Sequence, residues 1–352
     1  MNRDKCMNRD NEPRPASLEY TPTDQMTGSS IVTAANEASQ RIADHAVVTP
    51  VYESPRLSTG LATVWIKDES CQPSHAFKDR GALNAVTFHA MNGVELVVAG
   101  SAGNHGKGLA RAARLNMIDA LVVVGESSTQ EKRDSITAFG AEIMVKGRTF
   151  DEALEYARSA CRARNGRFVH PFADSLVIAG QATIGLELLH QSLDMTHLVL
   201  PVGGGGLLAG VASVVKQTRP EVRVVAAQAA GCDAFVHSLN TGRPVYGRDV
   251  DSRFEGTAVG TIDDLTFEIG RRVVDETMLV EPIKVDKAIY DLLAETGTLL
   301  ERAGGVGPAA ARQLADRLAS TDAQIVTIAS GANPPSAMAG YIDSKARRLG
   351  WT

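Results

Sequence analysis

Ser74-His75-Ala76-Phe77-Lys78-Asp79-Arg80-Gly81 sets one lysine in an otherwise apolar stretch that leads into a helix-like run, and the reading of the fold turns on it. A lysine there has two physical outcomes. Enclosed by protein, its ammonium loses hydration, so its pKa falls or the amine becomes neutral as an imine with an aldehyde. Left at a helix start, its stem lies along apolar surface while the charge reaches water or pairs with Asp79. This segment alone leaves both open.

Three later segments each follow a plausible strand. Val97-Val98-Ala99-Gly100 runs into Ser101-Ala102-Gly103-Asn104-His105-Gly106-Lys107-Gly108 and then an alanine-rich helix over residues 109–115. His197-Leu198-Val199-Leu200-Pro201-Val202 runs into Gly203-Gly204-Gly205-Gly206 and then Leu207-Leu208-Ala209-Gly210-Val211, so main-chain N–H groups converge at a helix start. Such a terminus binds phosphate dianions well. Gln324-Ile325-Val326-Thr327-Ile328-Ala329 ends in Ser330-Gly331-Ala332-Asn333, which places a hydroxyl at a strand end. The glycine run is no dinucleotide fingerprint, since it lacks the spaced glycines and a later acidic residue, and it lacks a Walker lysine. Taken singly, such a run also serves plain tight packing. Taken together, lysine, polar loop, phosphate cradle and strand-end hydroxyl are what a phosphorylated pyridoxal aldehyde requires.

From about Thr49 to Asn333 the chain resembles the fold type II pyridoxal-phosphate enzymes, closest to the threonine/serine dehydratase and serine racemase group. The landmarks are Thr49-Pro50-Val51, Phe77-Lys78-Asp79-Arg80-Gly81-Ala82, Ser101-Ala102-Gly103-Asn104-His105, Phe139-Gly140-Ala141-Glu142, His170-Pro171-Phe172, Ala179-Gly180-Gln181, the tetraglycine and Ser330-Gly331-Ala332-Asn333. The resemblance implies an α/β protein of two doubly wound domains, like the tryptophan synthase β chain, with the cofactor in the cleft between them. Residues 31–98 and 175–352 would form the large domain and residues 99–174 a small inserted one. It implies pyridoxal 5'-phosphate as cofactor, Lys78 as the Schiff-base lysine and Phe77 beside the ring. Asn104 would hydrogen-bond the ring 3-hydroxyl, while Gly203, Gly204, Gly205, Gly206 and Leu207 cradle the phosphate and Ser330 meets the pyridine nitrogen. A neutral hydroxyl cannot hold that ring protonated as a carboxylate would, so a long-lived carbanion is weakly stabilised and elimination at the β-carbon suits the site. The implied activity removes water from a β-hydroxy amino acid such as threonine or serine, with Lys78 taking the α-proton, and yields a 2-keto acid and ammonia. Ser101, Asn104 and His105 are candidates to grip the substrate carboxylate, with capping or support as the other reading of His105.

Departures from the family pattern narrow this. Ala102 stands where racemases of the group place a serine that delivers a proton from the second face, so racemisation is disfavoured. Gln228 and Ala234 stand where the family often holds a divalent cation through glutamate and aspartate; with two hard oxygen anions missing, no metal site is expected, although Asp233 is adjacent. His75 and Ala76 replace the usual glycine and serine, and His75 is either a solvated loop residue or a substrate contact. Asp79 is closer to threonine synthases and β-replacement synthases, so a β- or γ-replacement synthase is the alternative enzyme class. A binding protein that has lost catalysis is a third. Glu301 matches a family glutamate near the cofactor, or pairs with Arg302 or a helix end.

Composition agrees with a small-molecule enzyme. At 352 residues the chain exceeds the size at which one core stops growing, which makes two domains the default. Its 36 basic and 41 acidic residues leave a net charge of −5, dispersed along the chain, so no basic field for nucleic acid arises. Four scattered cysteines, Cys6, Cys71, Cys161 and Cys232, form no metal-type pair and point to a reduced, cytoplasmic protein. Residues 1–30 are polar, lack an apolar signal core and read as a tail. The uncharged run 198–215 nominally approaches membrane length, yet Pro201 and the glycines divide it into strand, turn and helix. The 19 residues after Asn333 are too few for the regulatory domain of some biosynthetic threonine dehydratases. Expected partners are a small amino-acid substrate and a second copy of the chain as a homodimer, with neither nucleic acid nor membrane. Between the landmarks, the 120–124 strand, the 129–139 helix and the 142–145 strand set an α/β pattern with a largely parallel sheet.

Overall fold

The computed structural model describes residues 28–191 and 194–351. In chain order the strands are β1 (Val51–Glu53), β2 (Thr63–Asp68), β3 (Leu96–Gly100), β4 (Asp119–Val124), β5 (Glu142–Val145), β6 (Arg167–Phe168), β7 (His197–Pro201), β8 (Arg223–Ala229), β9 (Glu276–Val280) and β10 (Gln324–Ala329). The helices are α1 (Gly28–Ile42), α2 (Lys78–Met91), α3 (Asn104–Leu115), α4 (Gln130–Thr137), α5 (Phe150–Ala163), α6 (Ser175–His190), α7 (Gly206–Thr218), α8 (Ala234–Thr241), α9 (Asp264–Val273), α10 (Pro282–Thr296), α11 (Arg302–Arg317) and α12 (Met338–Leu349). The alternating pattern of residues 120–145 thus becomes β4, α4 and β5.

Two sheets result. One has the order β1-β2-β10-β7-β8-β9 and the other β5-β4-β3-β6. Every pairing is parallel except β1 with β2. Parallel sheets are covered on both faces, which is why their strands read as unbroken β-branched runs. Alternate residues of β7 and β8 show this: Val199, Val225 and Ala227 join one apolar core, while Leu198, Leu200, Val224 and Ala226 join the core on the other face. In the smaller sheet Val97, Ala99, Val122 and Val124 face one core, and Val98, Leu121 and Val123 the other. Each fully buried side chain of this kind contributes roughly 1.5–3 kcal/mol, so the paired faces hold the sheets without cross-links.

The polar segment expected over residues 1–30, with Cys6, lies outside the described residues up to residue 27. Residues 28–30 instead open α1, because Ile31, Ala35, Ala38 and Ile42 recur at helical spacing and bury one stripe. The uncharged run 198–215 is divided among β7, the glycine turn and α7, and no described helix is long and apolar enough to cross a membrane. Cys71, Cys161 and Cys232 are free thiols.

Helix starts fix where the site can form. Asp174 caps α6, accepting from the N–H groups of Leu176 (2.8 Å) and Val177 (3.2 Å). Gly205, left-handed at φ 90°, starts α7 directly from the end of β7. Where α2 crosses α6 two glycines meet: a methyl group at Gly180 would lie 2.6 Å from the Cα of Gly81, and one at Gly81 would strike the Gln181 amide at 2.3 Å. This close crossing brings Lys78, at the start of α2, against the segment that leads into α6.

Candidate active site

Lys78 is held by its two successors. Arg80 forks onto Glu69 through Nε (2.7 Å) and Nη2 (2.8 Å), and reaches Glu187 through Nη1 (2.5 Å) and Thr183 Oγ1 (3.1 Å). Glu187 also accepts from Lys67 at 2.5 Å. Arg80, Glu69 and Lys67 are buried, and buried charges persist only where cations and carboxylates interlock in this way. Asp79 turns the other way, to Arg111 of α3 at 2.8 Å. The pairing of Lys78 with Asp79 allowed by the sequence is therefore not formed. The main chain at Lys78 is fastened on one side to α6 and on the other to the helix of the small sheet.

The Lys78 ammonium itself meets no carboxylate among the described residues. Its Nζ donates to the carbonyl of Pro171 at 2.6 Å and lies 5.2 Å from the centre of the Phe77 ring. Burial lowers its pKa from 10.5 to about 8. A neutral amine thus becomes accessible near physiological pH, as a nucleophile or base requires.

Pro171 leads to Phe172, which joins the lysine to the glycine turn. A methyl group at Gly204 would stand 2.4 Å from the Phe172 ring, and one at Gly206 would stand 2.8 Å from the Phe172 carbonyl. Close packing and open donors are both present: the first N–H groups of α7 have no helical carbonyl to meet until Ala209 bonds Gly205 at 2.8 Å. Leu207, in that first turn, is buried.

Ser330 closes a third side. Its carbonyl accepts from Phe77 N at 3.1 Å, Ala332 N donates to the His75 carbonyl at 2.8 Å, and its hydroxyl donates to the Ala303 carbonyl at 3.3 Å. The lysine segment and the end of β10 are thereby stitched edge to edge. Asn104, first residue of α3, donates from Nδ2 to Glu301 Oε1 at 2.6 Å and accepts from Asn333 Nδ2 at 2.9 Å. Gly331 lies between them, since a methyl group there would stand 2.4 Å from Glu301 Oε1 and 3.2 Å from Asn104 Nδ2. Burial pushes the Glu301 carboxyl up to about 7, against the pull of the Asn104 hydrogen bond. Arg302 turns away to Asp286 at 3.0 Å, so Glu301 and Arg302 form no pair.

The substrate candidates divide. His105 is buried, and its Nε2 lies 3.0 Å from the Val169 carbonyl. A carbonyl only accepts, so Nε2 carries the hydrogen, and Nδ1 has no hydrogen-bond partner among the described residues. Burial first, then the Lys78 charge, holds its pKa down to about 3. The neutral ring has no N–H left for a carboxylate, so only the main-chain N–H of His105 remains for that task. Ser101 Oγ accepts from Gly103 N at 3.3 Å, which shapes the loop before α3. His75 is exposed at the rim, with a left-handed φ of 62°. Away from the site, Gln228 bonds the Val202 carbonyl (3.1 Å) and Val236 N (2.9 Å), and Asp233 pairs with Arg248 at 3.1 Å.

Phe77, Lys78, Asn104 and Ser330 are thus joined by direct contacts or through one intervening residue, and the glycine turn reaches them through Pro171 and Phe172. The sequence reading missed the parts of Pro171, Phe172, Asn333 and Lys107. The first three stand within landmarks that gave them no task, and Lys107 stood unremarked in a quoted loop. An enclosed amine, a glycine-lined helix start, an amide and a hydroxyl fit a phosphorylated pyridoxal aldehyde.

A two-sheet α/β protein with an enclosed lysine joined through Pro171 and Phe172 to a glycine-rich helix start defines the class. Residues 42–331 match the family described as pyridoxal-phosphate dependent enzyme, and the chain belongs to that family. It is 37% identical over 303 residues to an L-threonine ammonia-lyase of Geobacter sulfurreducens, covering 86% of this chain and 75% of the relative. It is 33% identical over 297 residues to a biosynthetic L-threonine dehydratase of Pasteurella multocida, covering 84% of this chain but only 58% of that longer protein. Among solved structures, the processed form of threonine deaminase isoform 2 from Solanum lycopersicum superposes with a TM-score of 0.86 at 31% identity, over 92% of this chain and 91% of that one. Maize serine racemase superposes with a TM-score of 0.82 at 26% identity, over 91% and 98%.

Proposed function

We propose that this chain is a pyridoxal-phosphate-dependent lyase that eliminates water from a β-hydroxy amino acid such as threonine or serine, the unsaturated amine so released taking up water again to give a 2-keto acid and ammonia. The observation that carries the reading is the Lys78 amine, enclosed, unpaired with any described carboxylate and lowered to about 8, beside the Phe172–tetraglycine contact. In this reading Phe77, Lys78, Asn104, Gly203, Gly204, Gly205, Gly206, Leu207 and Ser330 hold the cofactor. When bound, pyridoxal phosphate supplies an electron sink for the bonds at the substrate α-carbon. Lys78, once free, takes the α-proton, and an amine titrating near the working pH serves well as that base. Ser101, Asn104 and the main-chain N–H of His105 orient the substrate carboxylate. The names of the relatives support this choice of reaction. Ala102 offers no hydroxyl to return a proton from the opposite face, which favours elimination over racemisation.

The alternative, a β- or γ-replacement synthase, rests on the likeness at Asp79, whose carboxylate pairs with Arg111 at 2.8 Å. The test mixes cofactor-loaded protein with threonine, serine and β-substituted amino acids while keto acid and ammonia are assayed. Keto acid and ammonia in equal amounts from threonine or serine sustain the reading; product only after a second nucleophile is added replaces it with a synthase. The same proposal includes a cytoplasmic homodimer, to be checked by light scattering and fractionation. It also treats residues 99–174 as one unit that works against the remainder of the chain.

A further inference from the structure

We infer that His170 is a positioning residue: one ring nitrogen closes the turn that aims the Pro171 carbonyl at Lys78 and seats the Phe172 ring on the glycine turn. The inference rests on the elimination proposed above and adds a residue that acts on it only through its neighbours.

Residues 169–174 lead from β6 of the smaller sheet into α6. Val169 N donates to the Val98 carbonyl of β3 at 2.9 Å, and Asp174 caps α6 at the far end. Between these anchors the main chain is buried and belongs to neither strand nor helix, so its N–H groups need acceptors. The Ala173 N–H donates to His170 Nδ1 at 2.8 Å, and the Phe172 N–H donates to the same nitrogen at 3.3 Å. No main-chain carbonyl among the described residues accepts from either. Pro171 has no N–H of its own to fasten. The Asp174 carboxyl in turn takes a hydrogen bond from the His170 main chain, so the turn is clasped from both ends.

Two contacts of the site hang from this turn. The Pro171 carbonyl and the Phe172 N–H belong to one planar peptide group and point in opposite directions. Holding that N–H with His170 Nδ1 therefore aims the carbonyl, which accepts from Lys78 Nζ at 2.6 Å. The Phe172 ring is the group that a methyl at Gly204 would meet at 2.4 Å. His170 stands edge-on to the same ring, with centroids 4.5 Å apart and planes at 87°. The clasp demands a neutral imidazole, because a hydrogen on Nδ1 would confront two N–H donors. Burial first, then the charges of Arg158, His105 and Lys78, hold the His170 pKa well below 6.5, which keeps that acceptor open near neutral pH.

The test uses the full chain with pyridoxal phosphate and threonine, and compares the wild type with His170→Asn, His170→Leu and His170→Phe. Asparagine and leucine side chains have nearly one shape, and only asparagine offers an acceptor to the N–H two residues on. Val214→Ala, which empties part of the buried core shared by α1, α6 and α7, is the control for lost stability alone. Three quantities are read: affinity for pyridoxal phosphate by fluorescence, the rate at which the near-visible band grows as the Lys78 amine condenses with the aldehyde and releases water, and kcat and KM for threonine. We expect His170→Leu and His170→Phe to lower kcat and the rate of band growth about tenfold or more, the scale of a buried donor left without its acceptor, with KM held within about twofold. Affinity for pyridoxal phosphate should fall with them. His170→Asn should recover most of each loss, and Val214→Ala should lower the melting temperature while leaving all three readings unchanged. Equal losses in His170→Asn and His170→Leu would overturn the acceptor role, as would a rise in KM at constant kcat. Should His170→Phe not fold, the contrast of His170→Asn with His170→Leu decides alone. If threonine yields keto acid and every His170 variant matches the wild type, the positioning fails while elimination stands; if no substrate yields keto acid yet band growth slows in His170→Leu and recovers in His170→Asn, elimination fails while the positioning of Lys78 stands.

Discussion

The Asn104 amide donates to Glu301 Oε1 at 2.6 Å, joining residues 197 apart in sequence across the space that Gly331 leaves open. Glu301 is a buried carboxyl whose pKa is raised from 4.5 to about 7. A carboxyl raised in this way favours the folded state fully below pH 4.5 and loses that contribution as pH rises through 7. Glu301→Gln, which keeps the carbonyl acceptor and removes the titration, should therefore gain stability relative to the wild type between pH 5 and pH 8. Urea midpoints at the two pH values measure this, and a difference independent of pH would contradict it.

Lys78→Ala removes the amine while leaving Asp79 and Arg80 to fasten the start of α2. Turnover should fall by roughly 10²–10⁴-fold or more, the range for losing a positioned base. The near-visible absorption of the cofactor-loaded protein should vanish with it, while the far-ultraviolet dichroism stays. Persistence of that band would show that another group holds the aldehyde.

Arg80→Met leaves Glu69 and Glu187 without their guanidinium. Breaking a buried network from one side costs roughly 3–5 kcal/mol, and Arg80→Lys should recover only part because an ammonium lacks the fork. Chemical denaturation decides it, and a loss below about 1 kcal/mol would mean that water replaces the missing partner.

Gly204→Ala drives a methyl group to 2.4 Å from the Phe172 ring. Overpacking of this kind costs about 1–3 kcal/mol, so cofactor affinity should weaken about tenfold. Gly340→Ala, where an added methyl meets nothing within 4 Å, is the matched control. Fluorescence titration with pyridoxal phosphate reads both variants, and equal affinities would separate the glycine turn from the cofactor.

Chelation should leave activity and melting temperature unchanged. Gln228 is engaged with Val202 and Val236, and Asp233 with Arg248, so neither is poised for a divalent cation. A loss that added magnesium or calcium restores would establish a metal site after all.

Much of this was legible because it is local. Strands buried on both faces must be apolar along their length, so Leu121-Val122-Val123-Val124 announced β4 without any knowledge of its neighbours. The lysine, the glycine run and the strand-end serine likewise stand in short motifs. Illegible features join distant segments. Arg80 meets Glu69 and Glu187 from 11 and 107 residues away, and nothing in Lys-Asp-Arg reveals that Asp79 faces Arg111. The tautomer of His105 is set by the carbonyl of Val169, 64 residues on, a group that every residue possesses. Gly28-Ser29-Ser30 resembles the tail before it, and only the burial of Ile31 and Ala35 against other helices makes it the start of α1.

Gly81 and Gly180 lie where α2 crosses α6: a methyl group at Gly180 would meet Gly81 Cα and the Arg80 carbonyl, and one at Gly81 would meet the Val177 carbonyl and the Gln181 amide. A side chain at either position collides with the main chain of the other helix, so no sequence of single substitutions leads away from the pair without first parting the helices. Two sites so coupled drift far more slowly than their roles in chemistry would require. In distant descendants that have exchanged Lys78 for another residue, this pair of glycines would still betray common ancestry, and any randomised library aimed at new substrates gains by leaving both untouched.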